Sequence, residues 1–285
     1  MNVMKKIFKL LICFYSFLSA IESRSQTEKI IETPFDGGEW FEFRIYYGFF
    51  NASYASIKLE NDTINNIPVL HSMGYGKTTG LARWFFKVDD YYESYFDREK
   101  IIPYKFIRNI YEGGYTKNVE INFNQEKLIA NINDKKKNTI TKLPFNYNAQ
   151  DLVSSFYYLR KYFPRDEFKI NESFVISMFF DNDNYVFKLK YLGKELVETK
   201  FGKIECLKFI PMVQSGRIFK EQESVTIWIS NDKNRIPIRV QADVIVGSIK
   251  ADLDNFKNLK YSDQIHDNSN FVNVIICIFF LVKSF

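Results

Sequence analysis

The chain has 285 residues, 46% of them apolar and 18% aromatic, including 29 Phe and 18 Tyr, a composition that buries a core and excludes global disorder. Twelve Gly and seven Pro are too few for a collagen-like or low-complexity chain. Of the formal charge of +5, Lys5, Lys6, Lys9 and Arg24 against Glu22 place +3 in the first 25 residues, which leaves +2 for the rest; a nucleic-acid partner is excluded, because displacing counterions from phosphates needs a concentrated basic surface.

Residues 1–25 read as a secretory signal peptide. Lys5, Lys6 and Lys9 precede the apolar run Leu10 to Ala20, and the small residues Ser23 and Ser25 set cleavage before Gln26, with Ala20 a second position. The run is shorter than the ~20 residues that span a bilayer. Cys13 lies within it, without the small residues that precede a lipidated cysteine.

From residue 36 the dominant pattern is alternation with period two. Phe41, Phe43 and Ile45 define one face of a strand, and Ala55, Ile57 and Leu59 one face of the next. Val119, Ile121 and Phe123 repeat the pattern, as do Phe174, Ile176 and Met178; Phe187, Leu189 and Tyr191; Val225, Ile227 and Ile229; and Ile236, Ile238 and Val240. Between the runs stand short turn signals, among them Glu112-Gly113-Gly114, Asp181-Asn182-Asp183-Asn184, Phe201-Gly202-Lys203 and Asn231-Asp232-Lys233-Asn234. Strand following strand at such spacing predicts a mainly β fold: a large antiparallel meander forming a curved sheet, sandwich or barrel. One short helix is expected near 151–162, capped by Asn148 or Asp151, with Leu152, Phe156 and Leu159 on one stripe and Pro164 ending it. A shorter turn is expected over Leu81–Phe86, capped by Thr78 or Thr79. Residues 36–262 read as a single antiparallel β domain, and 263–285 as a polar linker followed by the apolar tail Phe271–Phe285, which is too short for a spanning helix.

Chemistry-bearing patterns are sparse. The two histidines, His71 and His266, form no metal-ligand spacing, so neither a metal nor another cofactor is expected. His71 alternates within Val69-x-His71-x-Met73 as a packed strand histidine, and Cys206 reads as a buried small hydrophobe. Gly74 to Gly80 lacks the spacing of a phosphate loop. Asp89, Asp90 and Glu93 lie among four aromatics in KVDDYYESYFD; paired carboxylates on aromatic platforms are what a glycan hydrolase uses, and a strand would put Asp89 and Glu93 on one face and Asp90 on the other.

The segments WFEFRIYYGFFNASYASIKLE (40–60), GKTTGLARWFFKVDDYYESYFD (76–97), PYKFIRNIYEGGYTK (103–117), QDLVSSFYYLRKY (150–162) and SGRIFKEQESVTIWISNDKNRIPIRVQADVIVGSIKADL (215–253) resemble an exported bacterial family catalogued as domain of unknown function 3108, over about residues 36–260. Asn231 stands where that pattern usually reads Asp. The resemblance implies a signal peptide, a Gram-negative envelope location and an antiparallel β fold; it implies no reaction and no catalytic residues.

The resulting expectation is an exported, non-enzymatic protein of the periplasm or outer envelope. Its β domain would bind an apolar or lipid-like ligand in an aromatic-lined cavity, with Lys77, Arg83, Trp84, Arg217 and Lys220 as candidate anchors. The alternatives are a structural or interaction module with envelope protein partners, and a glycan-acting hydrolase using Asp89, Asp90 or Glu93.

Overall fold

A computed structural model describes residues 31–164, 167–212, 225–244 and 247–262. The expected signal peptide, the tail 263–285 and the candidate anchors Arg217 and Lys220 lie outside the described residues. All the elements belong to one compact unit beginning at Thr33.

Fourteen strands run in chain order: β1 (Trp40–Tyr47), β2 (Phe50–Ile64), β3 (Ile67–Thr78), β4 (Val88–Asp97), β5 (Pro103–Glu112), β6 (Tyr115–Asn124), β7 (Ile129–Asp134) and β8 (Thr139–Pro144), then β9 (Ser173–Phe180), β10 (Asp183–Thr199), β11 (Gly202–Met212), β12 (Val225–Ser230), β13 (Pro237–Asp243) and β14 (Ser248–Lys257). They form one antiparallel sheet in the order β8-β7-β6-β5-β4-β3-β2-β1-β14-β13-β12-β11-β10-β9. Each strand therefore pairs with its sequence neighbours, except that β1 pairs with β14 and the β8–β9 connection leaves both edges of the sheet. Two helices interrupt the meander, α1 (Gly80–Phe85) between β3 and β4 and α2 (Ser154–Tyr162) between β8 and β9.

Period-two burial drives this architecture. β4 alternates without exception, burying Val88, Asp90, Tyr92, Ser94 and Phe96 and leaving Asp89, Tyr91, Glu93, Tyr95 and Asp97 partly exposed. Local chirality matches the hairpins. Asn65 and Asn66 close β2–β3 with φ of 51° and 64°, and Asp181 and Asn182 close β9–β10 with 48° and 67°, the left-handed pairs that tight hairpin turns require.

The sheet curls until its two edges approach. Gln150 forms a parallel bridge with Met178, its N–H donating to the Ser177 carbonyl at 2.8 Å and its carbonyl accepting from Phe179 N–H at 2.9 Å. Rings from β6, the β8–β9 connection and β9 meet in the lumen, Phe123 lying 5.2 Å from Phe145 and 5.9 Å from Phe179. Asn184 clasps the same seam, donating to the Pro144 carbonyl and accepting from Asn146 N–H.

Helix α2 fills one end of the lumen. Asp151 accepts the N–H groups of Val153 and Ser154 at 2.8 Å each, the capping role expected for it. Arg235 closes the other terminus, its guanidinium donating to the carbonyls of Arg160, Lys161 and Phe163. Tyr157 packs between Phe35 at 4.8 Å and Phe96 at 5.1 Å. Leu159 and Phe163 instead join a second cluster with Ile176, Leu189, Tyr191 and Phe209 on β9–β11. Beyond a register shift at Gly193 (φ 105°), the tip of the β10–β11 hairpin reaches β13 and β14: Phe201 sits 5.2 Å from Phe256, and Arg239 donates to the Glu198 carbonyl. Cys206 is fully buried, as its strand pattern predicts, and burial pushes its thiol up to about 12, which keeps it unreactive.

Gly113 illustrates how tightly the opposite end is tied. Its φ is 54°, its N–H donates to the Lys87 carbonyl at 2.8 Å, and a Cβ there would overlap the Phe86 ring. Gly113→Val is expected to destabilise the protein by about 1–3 kcal/mol in urea unfolding, because strain and overlap add. Gly48, left-handed with open space around it, should tolerate Asn at a cost under ~1 kcal/mol.

Candidate functional site

The end of the lumen away from α2 carries a buried charged cluster of its own, built on Arg108 and Asp90. An up-and-down meander brings the β1–β2, β3–β4, β5–β6, β7–β8 and β9–β10 connections to this one rim. The carboxylates of β4 sort across the sheet as the alternation predicts, with Asp89 and Glu93 outside and Asp90 inside.

On the outer face each carboxylate has a fixed cation or donor. Arg83 grips Asp89 through two hydrogen bonds of 2.9 and 2.8 Å, and Lys87 lies 3.5 Å away. The Arg83 hydrogen bonds hold the Asp89 carboxyl below its ordinary value. Glu93 accepts from His71 at 2.7 Å and from Tyr95 at 3.0 Å, and the His71 bond is the main reason its pKa is lowered. The His71 ring stacks on Tyr95 at 3.8 Å, so this histidine is packed within the outer surface of the sheet. An open groove of about 550 Å³ crosses the outer face near Asp89, lined by Tyr75, Tyr91, Asn109, Tyr111 and Lys135 among others.

On the inner face lies a charged cluster. Arg108 of β5 is 1% exposed; one guanidinium nitrogen donates to Asp181 at 2.7 Å, and the group sits over the Phe180 ring at 5.0 Å. Lys117 of β6 pairs with the same Asp181 oxygen. The Nε and Nη2 atoms of Arg108 make no hydrogen bond of ordinary geometry among the described residues, although the guanidinium interacts with the Tyr92 hydroxyl. Nearby, Asp90 accepts the Tyr111 N–H at 3.0 Å. Burial, reinforced by its contact with the Glu112 carboxyl, pushes Asp90 up to about 8, so it keeps its proton at neutral pH.

This end is also lined by small side chains. Gly74 and Gly76 stand across from Tyr92 and Asp90, Ala55 across from Phe43, Ala251 across from Ile45 and Val240, and Ala242 across from Val225; all five small residues are buried. At the α2 end, by contrast, Phe35, Phe41, Leu59, Leu70, Phe96 and Tyr157 occupy the lumen.

The candidate anchors read from sequence fall elsewhere. Lys77 pairs in register with Tyr54 and Asp89, in the outward phase of β3. Arg83 is committed to Asp89 outside the sheet, and Trp84 projects from α1 at 91% exposure. None of the three lines the lumen: the pleat sends Lys77 outward, and α1 stands on the rim. The carboxylates are likewise divided between the two faces. Asp89 and Glu93 are both held ionised, whereas the carboxyl that retains a proton lies on the opposite side of the sheet. No motif marks Arg108 or Lys117, and Glu112 and Asp181 read in the sequence only as turn residues. The legible signal was a charge in the apolar phase of a strand, Phe106-x-Arg108-x-Ile110, all three of which are buried.

These features define an antiparallel β meander curled around a filled core, with a helix closing one end and a charged lumen at the other. The family described as "Protein of unknown function (DUF3108)" matches residues 42–254, and the chain belongs to it. No curated protein matches the sequence. Among solved structures, a beta-barrel-like protein of domain of unknown function DUF1849 from Brucella abortus is similar at 9% identity and a TM-score of 0.49, covering 80% of this chain and 98% of its own. A "putative lipoprotein" from Parabacteroides distasonis is similar at 11% identity and a TM-score of 0.33, covering 79% and 97% respectively.

Proposed function

We propose that the protein is an exported envelope component that holds an amphipathic, lipid-like guest without transforming it, the acidic group of the guest meeting Arg108. The observation that carries this reading is a buried guanidinium, two of whose nitrogens make no hydrogen bond of ordinary geometry, inside a charged cluster at one end of an apolar core. Leaving such donors unpaired is costly, and a carboxylate or phosphate monoester would satisfy both through the planar fork of arginine. Beside the cluster the core is packed around small residues, Ala55, Ala242 and Ala251, so an apolar chain would enter by displacing larger neighbours, and the proton on Asp90 removes a negative charge that would repel the guest. Export is supported by the charged and apolar pattern of residues 1–25.

Native mass spectrometry of protein purified from its membrane fraction is the test, with a fluorescent fatty acid as the defined probe. A bound anionic amphiphile is expected, together with saturable probe binding that Arg108→Gln weakens about 10- to 100-fold, the equivalent of losing one charged hydrogen-bonding pair. Arg108→Lys keeps the charge opposite Asp181 and loses the fork, so it controls for folding and should weaken the probe as well. An empty protein that leaves the probe unbound overturns the proposal and favours a structural envelope module.

A further inference from the structure

The same rim carries a second feature that the lumen does not use. Phe49 is 87% exposed, Trp84 91% and Phe85 88%, with Phe50 and Leu81 also largely in solvent. These residues come from two separate connections that are fastened together: Thr79 N–H donates to the Ala52 carbonyl at 3.1 Å, which holds the start of α1 against the β1–β2 hairpin. The fastening continues around the rim. Gly113 N–H reaches the Lys87 carbonyl, Lys87 lies over the Tyr111 ring at 4.9 Å, and Lys136 donates to the Thr116 carbonyl at 3.2 Å. The aromatic tip is therefore a fixed platform, and large apolar side chains displayed this way on one end of a globular protein mark an interaction surface.

Charge decides what covers it. The β7–β8 turn presents Lys135, Lys136 and Lys137 in succession, and the α1 connection presents Arg83 and Lys87. Across the connections from β1 to β8 these six cations, counted with Lys77, outnumber the acids Asp89, Glu112 and Asp134 and the Glu120 that Lys135 reaches at 2.8 Å, so a positive excess remains after Arg83 and Lys87 share Asp89 and Lys137 pairs with Asp134. Trp and Phe at the tip with Lys and Arg set around them is the pattern by which a protein lies on a lipid interface, rings among the acyl chains and cations among the phosphates. We propose that this rim docks on the surface of an anionic phospholipid bilayer, with Trp84, Phe85 and Phe49 inserted and the lysines of the β7–β8 turn on the headgroups. The inference stands apart from the lumen guest, since none of its residues belongs to the Arg108 cluster.

The three tryptophans make it readable. Trp84 is exposed, Trp228 is buried, and Trp40 lies under Lys257 at the α2 end. With the full chain and vesicles containing phosphatidylglycerol, sedimentation of the protein with lipid is expected, with a blue-shifted tryptophan emission and reduced quenching by acrylamide. Phosphatidylcholine vesicles or high salt should weaken binding several-fold. The W84A/F85A variant changes side chains that lie almost wholly in solvent, so its melting temperature should be unchanged while lipid partitioning falls at least 10-fold. Equal partitioning by the variant, which would place binding on the apolar residues 271–285, overturns the proposal. So does failure of the wild-type chain to bind, or a dimer in solution that the variant converts to monomer without any lipid effect.

Discussion

Arg160→Ala is expected to destabilise the protein by about 3–5 kcal/mol, the cost of leaving one member of a buried ion pair without the other. Arg160 and Glu39 are both essentially inaccessible to solvent, and they meet through two hydrogen bonds of 2.5 and 2.7 Å. The guanidinium also donates to the Asn234 carbonyl at 2.9 Å and is ringed by Phe35, Phe41, Phe156 and Tyr157 at 4.9 to 5.7 Å. One side chain thus joins helix α2, the segment before β1 and the β12–β13 turn. Burial raises the Glu39 pKa, and Arg160 is the chief opposing influence. Without Arg160 the Glu39 carboxyl should take up a proton, so the penalty should be smaller at pH 5 than at pH 8. Adding Glu39→Gln to Arg160→Ala should recover part of the loss. Urea unfolding at the two pH values checks both statements; a penalty below ~1 kcal/mol would mean that the pair contributes no more than a surface bridge.

The second large effect is a loss of stability in mild alkali. Asp90 is raised from an ordinary 3.8 to about 8, so the folded state binds a proton that the unfolded state has released. The stability belonging to the protonated carboxyl is complete below pH 3.8 and is lost as pH rises toward 8, at up to ~1.4 kcal/mol per pH unit. Asp151, raised by burial to about 6, and Glu42, raised by burial to about 7, act in the same direction over lower windows. The wild-type protein should therefore still be losing stability between pH 7 and 8, whereas Asp90→Asn should level off near pH 7 and be the more stable protein at pH 8.5, by more than ~1 kcal/mol. Thermal melts across pH 5 to 9 read this directly. Identical profiles for the two proteins would show that Asp90 is ionised in the fold.

Alternation made the strands legible because burial on one face is a local, period-two property, and β4 obeys it residue by residue. Asn and Gly doublets made the hairpins legible for an equally local reason, the need for positive φ. Helix α2 was visible through Asp151 and Pro164. The closure of β1 on β14 was not, since no local pattern says which strands become neighbours when both have two apolar-facing partners to choose from. The lumen cluster was hidden for a related reason. Arg108 and Asp181 are 73 positions apart and meet because the sheet curls, while the conspicuous GKTTGLARW segment drew attention through composition and proved to stand outside on the rim.

The pairing of the first strand with the last sets a timetable for assembly. Phe41 meets Phe256 and Ile45 meets Ala251 in the middle of the sheet, more than 200 positions apart along the chain. Hairpins from β2 to β13 can zip as soon as they are available, but the central rung waits for the final segment to arrive, and long-range rungs of this kind are slow to form. A chain synthesised amino end first emerges with its keystone missing. Until β14 follows, the inner edge of β1 offers unpaired N–H and C=O groups to any extended polypeptide nearby, so the interval before locking is when this protein most needs protection from its neighbours.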